Sequence, residues 1–292
     1  MSVLDDIQKS FIKKESIYGP DNYKPLPVVL SKAKGVWVWD ISEKKYLDMM
    51  SGYSAVSHGH AHPVLLKTFH DQSSRLSLTS RAFYTDTLGP YLETITQMTG
   101  FEMALPMNSG AEAVETAIKS SRRWAYRTKK VEENKAEIIV AEGNFHGRTT
   151  TIISFSTDEN SRKDFGPHTP GFVAVEYGSS KAIEDAITPN TAAVIIEPIQ
   201  GEGGIIVPPD NYLNEVRAIC TKHNVLMILD EIQSGLGRTG KLFAYQHSCG
   251  QCSCGENLCE VQPDGLILGK ALGGGFIPVS VFLSSEEVLG WM

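Results

Sequence analysis

The stretch DGLILGKALGGGF, residues 264–276, combines an uninterrupted apolar run, one lysine and a cluster of glycines. A strand without polar residues is typical of the interior of a parallel sheet, where both faces are covered. Lysine is rarely buried, and the glycines indicate that another group approaches the backbone closely. A lysine removed from water has a lowered pKa, and its neutral amine can attack a carbonyl. The stretch therefore predicts a buried strand that ends at Lys270, which is either a catalytic lysine or an ordinary solvated one.

The surrounding chain, from about residue 105 onward, alternates short runs rich in Ile and Val with amphipathic segments. The predicted strands are EIIVAEG (137–143), GFVAVEY (171–177), TAAVIIEP (191–198), VLMILDE (225–231) and DGLILGK (264–270), with FIPVSVFLS (276–284) as one further strand. Helices are predicted over 108–128, 179–187 and 210–224, and the first of them has one apolar face made of Val114, Ala117, Ile118, Ser121 and Ala125. This alternation predicts an α/β fold with a mostly parallel sheet flanked by helices.

The N-terminal part of the chain has a different pattern. Residues 28–50 alternate apolar and polar side chains and contain turn residues at Lys34–Gly35 and at 42–44. This pattern predicts a short antiparallel meander. We therefore divide the chain into an N-terminal segment with the meander, residues 1–60, and a large domain, residues 61–292.

Composition excludes several classes of protein. The 292 residues carry a net charge of −7, with 41% hydrophobic and 21% charged residues, which is typical of a globular protein. The negative charge and the lack of a basic cluster argue against a nucleic-acid partner, and no apolar run is long enough to cross a membrane. The N-terminus shows neither a secretory signal nor an evident mitochondrial presequence. We expect a cytoplasmic protein, and the mitochondrial matrix is the less favoured alternative.

The cysteines and histidines raise the question of a metal site. Four thiols crowd into SCGQCSCGENLC, residues 248–259, namely Cys249, Cys252, Cys254 and Cys259. They are weak candidates for a zinc site, because the second pair has an unusual spacing, and a surface loop insertion is the alternative. Cys220 stands alone in a helical pattern, as a small core residue would. The alternating histidines of SHGHAHP, His58, His60 and His62, are interpreted as part of a loop.

Polar residues follow several predicted strands, where ligands of parallel sheets bind. They are Glu197, Asp230, Glu231, Lys270 and the loop GNFHGR, residues 143–148. The segment Ser109–Gly110–Ala111 starts a predicted helix, whose free N–H groups would bind a phosphate, although Ser109 could be an ordinary N-cap. A phosphate site, a buried acid and a buried lysine at one sheet edge together predict pyridoxal phosphate. The lysine would form its Schiff base, and the acid would keep its ring nitrogen protonated.

Two longer motifs carry a family resemblance. LDEIQSGLGRTG (229–240) and PDGLILGKALGGG (263–275) resemble the signature of the class III aminotransferases, pyridoxal phosphate enzymes of fold type I. Within that class, YGPDNYKPLPVVL, MSGYSAVSHGHAHP, LTSRAFY, ALPMNSGAEAVETAIK, GNFHGRT, FGPHTPGF and EPIQGEGGIIVPP are most similar to ornithine aminotransferases. The resemblance implies transfer of the δ-amino group of L-ornithine to 2-oxoglutarate, giving L-glutamate 5-semialdehyde and L-glutamate. Acetylornithine and 4-aminobutyrate aminotransferases remain alternatives, as does a non-catalytic fragment with a metal site in the cysteine cluster.

The resemblance also implies a role for individual residues. Lys270 would bind the cofactor covalently, Asp230 would pair with its ring nitrogen, and Gln233 would hydrogen-bond its ring hydroxyl. Phe145 would stack on the ring face. The phosphate would be bound by Ser109, Gly110 and Ala111. The substrate would be bound by Arg148, Tyr23 and Tyr53, with Glu202 as an acid that masks a carboxylate-binding arginine while ornithine reacts. For Phe145 and Tyr53, core packing is the alternative.

The resemblance extends to assembly and length. Class III enzymes form homodimers or higher homo-oligomers, so we expect a homo-oligomer here. Family members continue after the position of Met292 with a further segment and a C-terminal small domain. The expectation is a C-terminally truncated chain, in which residues 61–292 form the large pyridoxal phosphate-binding domain.

Overall fold

The structure is a computed structural model that describes residues 3–249 and 260–292. The chain forms two compact units, Met1–Ser77 and Leu78–Met292. The sequence-based start of the cofactor-binding domain at residue 61 stays a prediction. No helix in the described part of the chain combines the length and apolarity needed to cross a membrane.

The first unit contains the predicted meander. Its elements are α1 (Val3–Tyr18), β1 (Leu30–Lys34), β2 (Trp37–Asp40), β3 (Lys45–Leu47), α2 (Ser51–Ser54) and α3 (Pro63–Arg75). The strands pair antiparallel in the order β1-β2-β3, as predicted. Asp40 closes the second turn, because its Oδ1 accepts hydrogen bonds from the amides of Ser42 (2.8 Å) and Lys44 (3.0 Å).

The second unit contains the α/β alternation. Its elements are α4 (Leu88–Thr99), β4 (Met103–Met107), α5 (Gly110–Trp124), β5 (Glu137–Ala141), α6 (Thr150–Ile153), α7 (Glu159–Arg162), β6 (Phe172–Val175), α8 (Ser180–Ala186), β7 (Thr191–Ile196), α9 (Tyr212–Lys222), β8 (Leu226–Asp230), β9 (Gly265–Leu268), β10 (Ser280–Ser284) and α10 (Glu286–Leu289). Short 3₁₀ turns lie at Ala244–Ser248 and Lys270–Gly273, and a π-helical turn, Ala125–Lys129, extends α5.

The strands form one seven-stranded sheet in the order β4-β10-β9-β8-β7-β5-β6. Strands β6, β5, β7, β8 and β9 pair in parallel, whereas β10 is antiparallel to both of its neighbours. The predicted mostly parallel sheet is confirmed, including a strand within 276–284. Strand β4 and helix α4 were not predicted.

Both faces of this sheet are covered, which explains why its central strands consist almost wholly of apolar residues. Alternate side chains of β5, β7, β8 and β9 enter two separate cores. One core packs beneath α8 and α9, and the other packs beneath α5. The predicted apolar face of α5 and its extension is confirmed, since Val114, Ala117, Ile118, Ser121 and Ala125 are all buried.

Candidate active site

A cavity of about 220 Å³ opens at the carboxyl ends of the central strands. It lies where the chain leaves β5, β7, β8 and β9 and meets the start of α5. The lining residues are Gly110, Ala111, Phe145, His146, Gly147, Glu197, Ile199, Glu202, Asp230, Ile232, Gln233, Ser234 and Lys270. The structure thus brings together the lysine, the acid and the helix start that the sequence placed at one sheet edge.

Lys270 lines this cavity and has a strained backbone. Its φ of 44° lies in the left-handed region, which costs a residue with a side chain about 1–2 kcal/mol. Burial lowers the pKa of the Lys270 amine, while the neighbouring carboxylates of Glu202, Asp230 and Glu197 act in the opposite direction. Lys270 is partly buried, which lies between the two sequence-based alternatives, and the sequence gave no sign of its backbone strain.

Asp230, the last residue of β8, is fixed through both carboxylate oxygens. Oδ1 accepts a hydrogen bond from the amide of Ile232 at 3.0 Å, and Oδ2 lies 2.7 Å from Nδ1 of His146. The Asp230 side chain is only 4% exposed, and that of His146 is fully buried. Burial opposes a charged imidazole, but the hydrogen bond to Asp230 and the charges of Asp230 and Glu197 raise the pKa of His146 above its ordinary value.

Glu197 is a second buried acid beside the same cavity. Its carboxylate accepts hydrogen bonds from the amides of Phe145 (3.1 Å) and Gly201 (3.4 Å). Burial, together with the nearby charge of Asp230, raises the pKa of Glu197 to about 7, although His146 and the two amides act against that rise. Glu197 can therefore change its protonation state near neutral pH.

Glu231 has a different task, although it follows Asp230 directly. Its carboxylate accepts hydrogen bonds from the amides of Ala244 (2.7 Å) and Tyr245 (2.8 Å). These bonds hold the 3₁₀ turn Ala244–Ser248 against the end of β8. Burial raises the pKa of Glu231 to about 7. Its role is to fix the backbone around the site.

The N-terminus of α5 borders the cavity. Ser109 caps the helix, since its Oγ accepts a hydrogen bond from the Glu112 amide (3.3 Å) while the Glu112 carboxylate accepts one from the Ser109 amide (2.7 Å). The amides of Gly110 and Ala111 belong to the first helical turn, so they have no acceptor within the helix. A Cβ on Gly110 would lie 2.8 Å from Cδ1 of Ile232, so glycine lets the helix start pack closely against the segment that follows Asp230.

A second cavity, of about 410 Å³, adjoins the first one. The two share Phe145, His146, Gly147 and Glu202, and the second also contains the exposed side chain of Arg148. The guanidinium of Arg148 lies 5.1 Å from the ring centroid of Phe145. Gln233 donates a hydrogen bond from Nε2 to Oε1 of Glu202 at 3.1 Å, so the predicted ring-hydroxyl ligand also contacts the predicted switch acid.

A larger cavity, of about 530 Å³, lies at the opposite edge of the sheet. It is next to the start of β8, and it contains an ion pair between Arg217 and Asp264 at 2.7 Å. It has no lysine, and Arg217 is already neutralised by its partner. We therefore assign the chemistry to the smaller cavity, where the buried acids and the lysine meet.

Two of the predicted substrate-binding residues, Tyr23 and Tyr53, belong to the first unit, where the residues are 51% and 47% exposed. Tyr53 has a left-handed backbone, with φ 55°. Both assignments to the substrate stay predictions.

The sequence-based metal candidates have different outcomes. Cys252, Cys254 and Cys259 lie outside the described residues, whereas Cys249 is described and buried. Nε2 of His60 lies 2.7 Å from Oδ2 of Asp48. The sequence gave no sign of this contact, because the two residues are separated along the chain. Within residues 3–249 and 260–292, no cluster of histidine, cysteine and acidic residues could hold a metal ion. Cys220 is a buried core residue, as expected.

Sequence reasoning overlooked His146. The histidine is part of the quoted loop GNFHGR, but a side chain 84 residues away from Asp230 gives no local signal of their contact. A polar residue directly after the aromatic one in a strand-end loop was the available hint. The structure shows that this hint marks a buried partner of the central acid.

Comparisons with known proteins agree with this geometry. Residues 18–292 match the family described as aminotransferase class-III. An ornithine aminotransferase from Brevibacillus brevis is 54% identical over 278 residues, covering 95% of this chain and 67% of the relative. The solved ornithine aminotransferase from Toxoplasma gondii has a TM-score of 0.92 and 42% identity, covering 98% of this chain and 65% of that one. An acetylornithine aminotransferase from Elizabethkingia anophelis has a TM-score of 0.83 and 44% identity, covering 98% of this chain and 66% of that one.

These matches also define how much of such an enzyme the chain represents. It spans about two thirds of the length of the relatives that it matches. The match runs through the meander, the seven-stranded sheet and all the strand-end loops of the cavity, and the shared fold is that of the fold type I pyridoxal phosphate enzymes. The chain belongs to the class III aminotransferases.

Proposed function

We propose that this chain carries the cofactor-binding part of an ornithine aminotransferase. The reaction would transfer the δ-amino group of L-ornithine to 2-oxoglutarate, yielding L-glutamate 5-semialdehyde and L-glutamate. The main support from the structure is a single observation: a lysine with a lowered pKa and a fixed, buried aspartate line one cavity beside a helix N-terminus. The identity to ornithine aminotransferases supports the choice of substrate.

The residues present fit pyridoxal 5'-phosphate, the cofactor of this family. The cavity offers an amine for the aldehyde, a buried carboxylate for the ring nitrogen, and the outward amides of Gly110 and Ala111 for the phosphate. A structure of the Toxoplasma gondii relative has partial occupancy of this cofactor at its active site. When bound, the cofactor serves as an electron sink for the bonds around the reacting nitrogen.

The side chains of this chain would then divide the work. Lys270 would hold the cofactor covalently and move a proton at its Nζ, which its lowered pKa favours. Asp230 would hold a proton on the ring nitrogen, and Phe145 would cover one ring face. Ser109 would contribute to the phosphate site, but its amide already donates to Glu112, so that carboxylate would have to move away.

The second cavity is the proposed binding site for substrate. Arg148 lines it and would pair with a substrate carboxylate, as its planar guanidinium suits such an anion. Gln233 would hydrogen-bond the ring hydroxyl of the cofactor, and its hydrogen bond to Glu202 would fix the position of that switch acid. Tyr23 would bind the substrate carboxylate together with Arg148, and Tyr53 would shape the pocket; both roles rest on the family resemblance. A homodimer and a cytoplasmic location remain part of this proposal.

Cofactor attachment provides the direct test. The chain is incubated with pyridoxal 5'-phosphate, reduced with borohydride, digested and analysed by mass spectrometry. We expect the adduct on Lys270 and its loss in Lys270→Ala, whereas Lys129→Ala, which removes a half-buried lysine away from the cavity, should retain it. An adduct on a different lysine would refute the assignment.

The amino donor is tested separately. The protein is supplied with 2-oxoglutarate and, in turn, ornithine, acetylornithine or 4-aminobutyrate, and glutamate formation is measured. Ornithine should be preferred. The acetylornithine aminotransferase from Elizabethkingia anophelis makes acetylornithine the relevant competitor. A preference for acetylornithine would replace the substrate in this proposal but retain the reaction type.

A further inference from the structure

The contact between His146 and Asp230 has no role in the function proposed so far. His146 lies in the loop after β5, and Asp230 ends β8, two strands away in the sheet. The two side chains meet at 2.7 Å in a region almost without solvent. Such a buried contact carries a large desolvation cost, so it needs a specific benefit.

The imidazole of His146 has one hydrogen-bond partner among the described residues, the carboxylate of Asp230. Nδ1 is the nitrogen that lies near Oδ2 of Asp230, and Nε2 has no hydrogen-bond partner among the described residues. Phe155 packs near the ring, with the two ring centroids 6.0 Å apart. The ring is thus held between an apolar neighbour and the carboxylate.

The charges around the ring favour its protonated form. The groups that act on His146 are Asp230 and Glu197, both acidic, and their effect exceeds that of burial. Lys270 faces the same cavity, where it interacts with the charges of Asp230, Glu197 and Glu202. A protonated His146 would make its hydrogen bond to the Asp230 carboxylate charge-assisted, and such bonds are about twice as strong as neutral ones.

We infer that His146 is a positioning residue that holds the carboxylate of Asp230 toward the ring nitrogen of the cofactor through a charge-assisted hydrogen bond. This inference rests on the proposed function, because the ring nitrogen belongs to the proposed cofactor. His146 acts through Asp230 and does not itself touch the reacting atoms. A histidine that only filled space would need no fixed contact with a carboxylate, whose second oxygen is already bound by the Ile232 amide.

The test compares two substitutions that separate charge from hydrogen bonding. His146→Asn keeps an N–H group near the position of Nδ1 but cannot become positively charged. His146→Phe keeps an aromatic ring and removes both properties. His223→Asn is the matched control, because His223 also lies near a carboxylate, 3.6 Å from Glu184, but is remote from the cavity.

The first readout uses the cofactor-free protein. Imidazole ¹⁵N chemical shifts, assigned through the signal lost in His146→Asn, report the protonation of both ring nitrogens. We expect the imidazole of His146 to keep its proton to a higher pH than a free histidine, which titrates at about pH 6.5. Titration at or below that pH would overturn the inference, whatever the protein does with the cofactor.

The second readout is the affinity and the absorbance spectrum of bound pyridoxal 5'-phosphate across pH. We expect His146→Asn to raise the dissociation constant about tenfold or more, the equivalent of about one pKa unit, and to shift the spectral titration. His146→Phe should have a larger effect, and His223→Asn none. If wild type forms the Lys270 adduct but His146→Asn binds and titrates like wild type, the inference fails alone. If wild type forms no adduct, the proposed function fails and the inference fails with it.

Discussion

Replacement of Asp230 by asparagine should change how the stability of the protein depends on pH. The substitution preserves the volume of the side chain but removes the negative charge 2.7 Å from His146. Two charges about 4 Å apart attract by about 4 kcal/mol at an effective dielectric constant of about 20. Removing one partner of a buried ion pair typically costs about 3–5 kcal/mol. We therefore expect a loss of this size wherever His146 is protonated in the wild type.

The sign of the pH dependence follows from the pKa of His146. In wild type this pKa is raised, so the native chain keeps a proton that the unfolded chain loses above about pH 6.5. That stability is fully present below about pH 6.5 and is lost as the pH rises through the folded pKa. In Asp230→Asn, Glu197 alone opposes the effect of burial on His146. We therefore expect the folded-state pKa of His146 to lie below about 6.5, so that its contribution to stability is lost as the pH falls.

The assay is urea unfolding of cofactor-free wild type and variant between pH 5.5 and 9. The loss of unfolding free energy should be about 3–5 kcal/mol at the acidic end and fall to about 1 kcal/mol at the basic end, where only a neutral hydrogen bond is lost. Asp185→Asn is the control, since its partner Lys181 is exposed and the pair contributes at most about 1 kcal/mol. A loss that stays constant with pH would refute the reasoning, because it would mean that His146 is neutral in the wild type.

Three further substitutions test other parts of the site. Lys270→Gly should be more stable to urea than Lys270→Ala by about 1 kcal/mol, because the left-handed backbone favours glycine; equal stabilities would remove the argument from strain. In Gly201→Ala the new Cβ would lie 1.5 Å from Oε1 of Gln233, so the side-chain amide of Gln233 must move. Cofactor affinity should therefore fall as it does in Gln233→Ala, and the double variant should show no further loss. Because the pKa of Glu197 is raised from about 4.5 to about 7, wild type should lose stability to urea as the pH rises between these values, and Glu197→Gln should reduce this loss. If the slope of stability against pH is the same in the variant, another group causes the loss.

The sheet was predictable because burial on both faces leaves a direct trace in the sequence. The strands β5, β7, β8 and β9 consist almost wholly of apolar residues, and in the helices between them the apolar residues recur with a period near 3.6. The same logic placed Asp230 and Lys270 at one sheet edge, because parallel strands end together. Strand β4, with the sequence MALPM, escaped prediction because a proline and its short length resemble a loop.

The details of the site were not predictable because they depend on contacts across the sheet. The pairing of His146 with Asp230, and the opposite orientations of Asp230 and Glu231, arise only when the strands are assembled. Adjacent residues of an extended chain point to opposite faces, so one of these two acids serves the cavity and the other holds a turn. The sequence placed both acids at the strand end but could not separate their tasks.

The cavity concentrates features that lower the stability of the folded chain. Lys270 has a left-handed backbone, and burial raises the pKa of Glu197 to about 7. His146 and Asp230 form a buried contact between an imidazole and a carboxylate, and apolar residues of similar volume often replace buried charged pairs without loss of stability. These costs are tolerated because β7 and β8, whose residues are all buried, anchor the loops that carry the charges. A chain selected for stability alone would fill this sheet edge with apolar side chains. The charges at this edge are the groups that we propose to bind and orient a cofactor with a ring nitrogen and an aldehyde.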